Sequence, residues 1–223
     1  MSHRIKLQVK GPFACFTRPE MKAERVSYDV MTPSAAVGIL ESIHWKPAIR
    51  WVIDEIAVLK PIRFTTIRRN EVGEVGSSVQ ARSAIKSGVL NDLSIVASDP
   101  RVRVQRTSLI LADVAYVISA HFELTSKAGA SDSANKHIEM FERRAQRGQC
   151  FRQPCLGNQE FHADFELLNY DADVAALPVS RDLGFMLWGI DHKSPTKRPL
   201  FFRATMQDGK ISIPQPGSIG VLS

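Results

Sequence analysis

The order in which strand-like and helix-like patterns follow one another limits the folds open to this chain. Polar and apolar residues alternate over Arg4–Val9, and the alternation stops at Gly11-Pro12, which is typical of a strand with one solvent face. Thr32-Pro33-Ser34 predicts a helix start and Pro47 predicts its end. A second strand is predicted over Arg50–Leu59. The first part of the chain therefore has the order β-α-β.

The rest of the chain predicts a β-hairpin, a helix and then further strands. The hairpin joins Thr107–Leu111 to Val114–Leu124 near Ala112-Asp113, and Ser133 is the expected cap of a helix that runs through Gln146. Strand patterns follow at Phe161–Leu168, Leu183–Trp188, Leu200–Met206 and Lys210–Pro214, with a hairpin turn at Asp208-Gly209.

This order of elements predicts an α+β fold with two parts. Residues 1–150 fit a ferredoxin-like (RRM-like) N-terminal domain, and residues 151–223 fit a C-terminal antiparallel β-sheet extension. Residues 68–103 mix glycine, serine and charged residues without a firm period, so we expect an insertion or mobile loop there. A fold of this kind hosts many functions and does not by itself identify one.

Charge is distributed unevenly along the chain. Residues 1–150 carry 22 basic and 15 acidic side chains, a net of +7, whereas residues 151–223 carry 7 basic and 8 acidic side chains, a net of −1. A basic surface attracts polyanions, so this excess favours a nucleic-acid partner. No run of about eighteen apolar residues is present, and the N-terminus lacks the apolar block of a signal peptide. We therefore expect a cytoplasmic protein with no membrane partner.

The predicted helix after Ser133 carries the strongest candidate for chemistry. At about 100° per residue, Lys136, Arg143 and Arg147 fall close together on one face, with His137 and Arg144 alongside. A neighbouring lysine and histidine suit metal-free RNA cleavage, because imidazole moves protons near neutral pH and ammonium stabilises charge on a phosphate. The same pattern also fits a solvated amphipathic helix.

His44 is a second candidate, at the end of the first helix. A helix C-terminus favours imidazolium, which suits a proton donor, although such a histidine also fits simple packing. Cations near it and in the polar connection 17–31 are available for phosphate contacts. The predicted RNA-binding residues are Lys22, Arg25, Lys46, Arg143, Arg144 and Arg147.

Motifs for cofactors and metals are missing from the sequence. It has no Walker A sequence, no GxGxxG after a strand, no GxSxG and no HExxH, so no cofactor is predicted. The three cysteines form no CxxC pair. His162 and Asp164 alternate on a predicted strand, but two ligands are too few for a metal site, and none is predicted.

Twenty consecutive residues, Tyr28–Pro47, resemble the CRISPR-associated Cas5d family, the type I-C member of the RAMP superfamily of endoribonucleases. Further segments that fit are Ala14–Pro19, Asn135-Lys136-His137, Leu183–Trp188 and Phe201–Ala204. The resemblance covers almost the whole chain and is weakest at 68–103. It implies the same architecture as the pattern of elements does.

The resemblance also implies an activity. Members of the family cut precursor CRISPR RNA at the base of the repeat hairpin, without a metal, when a ribose 2′-hydroxyl attacks the adjacent phosphate and leaves a 2′,3′-cyclic end. They then retain the 5′ handle as subunits of the type I-C interference complex. The family's catalytic Lys-His pair matches Lys136 and His137, and its third catalytic position, a tyrosine in the family, is His44 here.

Two alternatives stay open at this point. The first is a non-catalytic RNA-binding scaffold subunit of the same complex, in which the change from tyrosine to His44 has ended cleavage. The second is a metal-dependent nuclease that acts on DNA through carboxylates such as Asp113 or Asp164.

Overall fold

The computed structural model describes residues 4–21, 23–89, 93–192 and 194–222, which form a mixed α/β structure with antiparallel sheets. Within these ranges, no helix is long and apolar enough to cross a membrane. The elements in chain order are β1 (Arg4–Ala14), α1 (Pro33–Ile43), β2 (Ile49–Val58), β3 (Phe64–Val72), α2 (Ser78–Ser87), β4 (Arg103–Leu124), α3 (Ala134–Gln146), β5 (Asp164–Leu168), β6 (Arg181–Ile190), β7 (Pro199–Met206) and β8 (Lys210–Ser212).

A six-stranded sheet organises the structure. Its strand order is β5-β1-β4-β2-β8, and β3 pairs with the first half of β4. All of these pairs are antiparallel. Strands β6 and β7 form a separate two-stranded antiparallel sheet. Helix α1 contacts β2 of the six-stranded sheet, β6 of the two-stranded sheet and helix α3. It therefore connects the two sheets and α3 in one packed unit.

The alternation along β1 is confirmed by burial. Leu7 and Val9 are buried, and they lie opposite the buried Ile118 and Tyr116 of β4. Because successive side chains of a strand point to opposite faces, one face of this strand pair joins the core and the other stays closer to solvent. Strand β1 does not stop at Gly11-Pro12 as predicted but continues to Ala14 in an unchanged register.

The predicted hairpin at Ala112-Asp113 is wrong. Residues 103–124 form a single strand, β4, because β1 pairs with it on both sides of Asp113. The positive φ of Asp113, 54°, is a local irregularity that does not reverse the chain. Its carboxylate accepts hydrogen bonds from Lys60 at 2.5 Å and from Arg63 at 2.7 Å. The side chain of Asp113 is therefore held in ion pairs at the surface.

Both predicted helix starts are confirmed. The Thr32 hydroxyl accepts from the backbone N–H of Ala35, and the Ser133 hydroxyl accepts from the backbone N–H of Lys136, each at 3.3 Å. These caps satisfy N–H groups that have no partner inside a helix. Helix α1 ends at Ile43, shortly before Pro47.

The region 68–103 contains more regular structure than expected. Strand β3 pairs along its whole length with the start of β4, and α2 follows it. Both faces of β3 are partly or fully exposed, so apolar residues do not alternate clearly with polar ones along it. The missing alternation explains why the sequence did not predict a strand.

Residues beyond 150 contribute to both sheets. The predicted turn at Asp208-Gly209 is confirmed, with φ angles of 46° and 75° and paired hydrogen bonds between Gln207 and Lys210. The strands on either side then diverge, because β7 pairs with β6 while β8 pairs with β2. Strand β5 pairs with β1. The division of the chain at residue 150 stays a prediction.

Candidate active site

The end of α1 and the first turn of α3 bring two histidines together. Nε2 of His44 lies 3.1 Å from Nδ1 of His137, although the two residues are 93 positions apart in the chain. Their rings are tilted by 34°, with centroids 5.3 Å apart. Two of the three predicted catalytic residues are therefore in direct contact.

Local structure fixes the position of His44. Its backbone N–H bonds to the carbonyl oxygen of Leu40 and caps the end of α1, while its own carbonyl oxygen accepts from Nε1 of Trp51 at 2.9 Å. The backbone at His44 is extended, with φ −149° and ψ 117°, so the chain leaves the helix at this residue. The ring is held where the helix ends against strand β2.

His137 lies on the packed face of α3. It shares this face with Phe141 and Ala145, at intervals of four residues, and its ring makes an edge contact with Phe122. The expectation that His137 lies beside the exposed cations is wrong, because only 2% of this residue is exposed. The interval of four residues to Phe141 was the sequence signal for this burial.

Lys136 is directed away from this pair. It is exposed, and its Nζ donates to the carbonyl oxygen of Ser131 at 3.1 Å. In this structure the ammonium and the imidazole are adjacent in the chain but do not face one open surface. The loop before α3 contacts both of them.

Arg144 also differs from its predicted place on the open face. It is half-buried, and its Nη1 donates to the carbonyl oxygen of Ile43 at 2.9 Å and lies 3.3 Å from Nδ1 of His44. A guanidinium has no lone pair to offer, so Nδ1 of His44 must be the acceptor. Arg144 thus contacts the His44 ring at Nδ1, while His137 contacts the same ring at Nε2.

The environment of His44 opposes its positive charge. Burial lowers its pKa to about 4, and the charge of Arg144 is the next contribution. The expectation that the helix end favours imidazolium here is wrong, because desolvation and a nearby cation outweigh the helix dipole. At neutral pH the His44 ring is uncharged.

Asp132, in the loop before α3, completes the cluster and was missed from the sequence. Its Oδ1 lies 3.3 Å from Nε2 of His137, and its Oδ2 accepts from the backbone N–H of Gly129 at 3.0 Å. That hydrogen bond, together with His137 and Lys136, lowers the pKa of Asp132. Nε2 of His137 is buried and has no well-aligned hydrogen-bond acceptor.

The remaining predicted RNA-binding residues lie in different surroundings. Lys46, Arg143 and Arg147 are exposed. Arg25 is within ion-pair distance of Glu160 at 3.5 Å and Glu71 at 3.8 Å, and neither carboxylate belongs to the histidine cluster. The prediction for Lys22 falls outside the described residues.

Two exposed aromatic side chains adjoin the end of α1. Trp45 directly follows His44, and the backbone N–H of Phe151 bonds to the carbonyl oxygen of Ser42. They are 53% and 94% exposed. Trp45 also lines a groove of about 550 Å³ together with Arg50 and Lys127. Nothing in the sequence motifs pointed to these two residues.

The carboxylates of the alternative DNA nuclease do not form a cluster. Asp113 is paired with Lys60 and Arg63, and Asp164 and His162 are exposed on and beside β5. Across the described ranges, no group of three or more histidine, cysteine, aspartate or glutamate side chains is arranged to hold a metal ion.

Solved structures of CRISPR-associated proteins share this fold. A structure described as a CRISPR-associated protein is similar with a TM-score of 0.70 and 22% identity, over 100% of this chain and 97% of that chain. The functionally uncharacterized protein SMU1763c from Streptococcus mutans gives 0.66 and 22%, over 100% and 98%. A chain of a CRISPR RNA-guided surveillance complex gives 0.50 and 13%, over 95% and 88%. The fold is that of a CRISPR-associated protein.

The family follows from sequence comparison. The Cas5d family model, described as CRISPR-associated protein (Cas_Cas5), matches residues 4–214. The protein named CRISPR pre-crRNA endoribonuclease Cas5d from Mannheimia succiniciproducens is 54% identical, over 96% of each chain. Its namesake from Thermus thermophilus is 37% identical, over 95% of this chain and 91% of that one. The chain therefore belongs to the Cas5d family, which confirms the resemblance.

Proposed function

We propose that this protein is an endoribonuclease that cuts precursor CRISPR RNA at the base of the repeat hairpin without a metal ion. The contact between Nε2 of His44 and Nδ1 of His137 carries the proposal, because it joins two predicted catalytic residues that are remote in sequence. The names of the two curated relatives, CRISPR pre-crRNA endoribonuclease Cas5d, supply the substrate class.

The proposed reaction needs only proton transfer and charge stabilisation. The 2′-oxygen loses its proton and bonds to the adjacent phosphorus, the bond from phosphorus to the 5′-oxygen breaks, and that oxygen takes up a proton. The products are a 2′,3′-cyclic phosphate and a 5′-hydroxyl, with no net proton consumed. The imidazoles of His44 and His137 mediate the proton movement, and the ammonium of Lys136 stabilises charge on the phosphate.

Access to the site requires movement of the loop before α3. Lys136 bonds to Ser131 and Nε2 of His137 adjoins Asp132, so this loop occupies a polar atom of each group, although Lys136 itself is exposed. We propose that the RNA backbone displaces this segment. A phosphate is an anion like the carboxylate of Asp132, so it can take over contacts with the same two side chains.

The surface around the end of α1 suits single-stranded RNA. Exposed Trp45 and Phe151 offer faces for base stacking, and exposed Lys46, Arg143 and Arg147 offer cations for the backbone. We propose that this surface holds the 5′ handle after cleavage. The protein then remains bound as a subunit of a type I-C interference complex, in keeping with the fold it shares with a surveillance-complex chain.

We also propose that the unit β1-α1-β2-β4-α3-β5 is ferredoxin-like. The support is its strand order β5-β1-β4-β2 with every pair antiparallel, and its two helices placed after the first and third of these strands in the chain. In this reading β3 and α2 are an insertion, and β6, β7 and β8 belong to the C-terminal extension.

The experiment is incubation of the purified protein with its repeat RNA in EDTA. A discrete product with a 2′,3′-cyclic end, and no product from RNA with a single 2′-deoxyribose at the scissile position, is the expected result. Cleavage that requires added Mg²⁺, or that survives the 2′-deoxy substitution, overturns the proposed chemistry. Degradation of DNA in Mg²⁺ favours the nuclease alternative if a point mutation in this chain abolishes it.

Two observations favour a second candidate, an RNA-binding scaffold subunit that does not cleave. His137 is only 2% exposed, and His44 stands at the position where the resemblance implies a tyrosine. The same assay separates the candidates, because a scaffold binds the repeat hairpin and leaves it intact. Bound RNA co-elutes with the protein in either case, as the cleaved 5′ handle from a nuclease and as intact repeat RNA from a scaffold.

A further inference from the structure

Four polar side chains follow one another between the end of α1 and the first turn of α3, and the outer two, Arg144 and Asp132, are partly exposed. Nη1 of Arg144 lies 3.3 Å from Nδ1 of His44. Nε2 of His44 lies 3.1 Å from Nδ1 of His137, and Nε2 of His137 lies 3.3 Å from Oδ1 of Asp132. Each histidine therefore has one ring nitrogen toward its partner and the other toward a charged group.

Arg144 at one end and Asp132 at the other favour the same arrangement, in which each ring donates from Nε2 toward Asp132. Arg144 only donates, so Nδ1 of His44 accepts, and the neutral ring carries its proton on Nε2. That proton is donated to Nδ1 of His137, which leaves the proton of the neutral His137 ring on Nε2. The ionised carboxylate of Asp132 only accepts, and its Oδ1 lies 3.3 Å from this Nε2, close enough to favour the proton there although the hydrogen bond is not well aligned. In the opposite direction, N–H would face guanidinium and a lone pair would face carboxylate.

We propose that Arg144 and Asp132 are positioning residues that fix the protons of both histidines on Nε2, so that His137 presents an N–H to the substrate site. The catalytic meaning of this order rests on the proposed function. Neither residue is assigned contact with the reacting atoms, and each acts through the histidine beside it. An orienting partner on the far nitrogen is a common means of setting a histidine tautomer.

The order prepares the site for a phosphate. When RNA displaces Asp132, a phosphate oxygen replaces the carboxylate as the acceptor that faces Nε2 of His137. Among the described residues, Lys46 adds its charge to the surroundings of His44, and Lys136 adds its charge to those of Asp132. Both are cations, so they favour an anion at this place and do not reverse the order.

Histidine ¹⁵N NMR on the RNA-free full chain tests the order directly, because protonated and unprotonated ring nitrogens differ widely in chemical shift. We expect His44 and His137 both to carry the proton on Nε2 at pH 7.5. Loss of the corresponding resonances in His44→Gln and His137→Gln assigns them. A proton on Nδ1 of either ring, or an even mixture, overturns the proposal.

Variants at the two ends test what sets the order. Arg144→Met and Asp132→Ala each leave one charged end, so the Nε2 form persists in each, whereas the double variant shows a mixture. Arg144→Lys in the Asp132→Ala background keeps a donor and restores the Nε2 form. The melting temperature and the amide spectrum show whether the double variant folds. If it folds and both histidines still carry the proton only on Nε2, Arg144 and Asp132 do not determine the tautomers.

Cleavage kinetics distinguish positioning from RNA contact and from general stability. For Arg144→Met we expect kcat to fall about tenfold at pH 7.5 with KM unchanged, because the His44 ring loses the hydrogen bond that orients it even though the Nε2 protonation persists. The acidic side of its pH profile moves to higher pH, because the cation that opposes protonation of His44 is gone. Arg144→Lys retains the wild-type profile. An equal loss at every pH, or weaker binding with a shallower salt slope, overturns the positioning role.

The two proposals fail in different ways. If the wild-type chain does not cleave repeat RNA but NMR shows both protons on Nε2, the proposed function fails and the tautomer order stands. If the chain cleaves RNA in EDTA but NMR shows mixed tautomers, the function stands and the positioning role fails.

Discussion

Lys136 and His137 are neighbours in the chain whose side chains lie in opposite surroundings. The ammonium of Lys136 is exposed and bonds to the Ser131 carbonyl oxygen, whereas the imidazole of His137 is 2% exposed and contacts His44. Adjacent residues on a helix are separated by about 100°, so one can face solvent while the next packs. If the pair acts on one phosphate, Asp132 must first move away from Nε2 of His137.

Replacement of either candidate catalytic group should lower the cleavage rate more than RNA affinity. We expect His137→Gln to lower the single-turnover rate by about 10²–10⁴-fold, because positioned proton transfer is lost. Lys136→Gln should lower it by about 10²–10³-fold, because a charge-stabilising donor is lost. The control is Gln146→Ala at the exposed end of α3. Denaturing gels of labelled repeat RNA give the rates, and an undiminished rate in His137→Gln contradicts the assignment.

Removal of exposed cations from α3 should have the opposite signature. The double variant Arg143→Gln/Arg147→Gln should bind repeat RNA more weakly and with less dependence on salt. Each lost contact with a single strand lowers the slope of log affinity against log salt by about 0.7. The matched control is Arg82→Gln/Lys86→Gln, which removes the same charge from the exposed side of α2. Binding isotherms at several KCl concentrations measure the slopes, and equal slopes in both double variants argue against a phosphate contact on α3.

Exposed aromatic residues should contribute to affinity through stacking. Trp45→Ala and Phe151→Ala should each weaken binding by about 1–3 kcal/mol per stacked base, with the salt slope unchanged, because no charge is removed. Phe185→Ala, also exposed but on β6, is the control. The difference in tryptophan fluorescence between the wild-type chain and Trp45→Ala during an RNA titration provides an independent readout. Unchanged affinity in both variants would remove the end of α1 from the RNA-binding surface.

Protonation of His44 should make folding stability depend on pH. Its pKa is lowered to about 4 in the folded protein, against about 6.5 when unfolded, so the unfolded chain binds more protons between these values. The contribution to the free energy of unfolding is present above pH 6.5 and is lost as pH falls toward 4. It amounts to up to about 3 kcal/mol.

Urea unfolding of the wild-type chain and His44→Gln between pH 4 and 7.5 measures this contribution. The wild-type curve should fall more steeply with decreasing pH than that of the variant, and the two should run parallel above pH 7. Parallel curves throughout the range would mean that His44 is not held neutral by its surroundings.

The packing of α3 should control the site through Phe141. This residue is fully buried, and its ring lies 4.9 Å from that of Trp51. Phe141→Ala should lower the free energy of unfolding by about 3–5 kcal/mol, because a large buried side chain leaves a cavity. Phe151→Ala makes the same chemical change at an exposed position and should cost less than about 0.5 kcal/mol. Chemical denaturation of both variants compares these values, and similar losses would contradict the packing of Phe141 against Trp51.

Local patterns in the sequence were sufficient for the elements that frame the site. The caps Thr32 and Ser133, the alternation in β1 and the turn at Asp208-Gly209 depend on neighbouring residues, so they were predicted correctly. The run of β4 through Asp113 was not, because only the pairing with β1 reveals that the chain does not turn there.

The sequence by itself determined which residue types are available for chemistry, and the family resemblance pointed to His44, Lys136 and His137. Only the tertiary structure decided that His44 meets His137, that Arg144 turns inward and that Asp132 faces the pair. Helical spacing gives the angle of a side chain around its own axis, but the neighbour that a face packs against is set by contacts between distant segments. Packing of α3 near the end of α1 therefore buries His137, while Lys136 remains exposed to solvent.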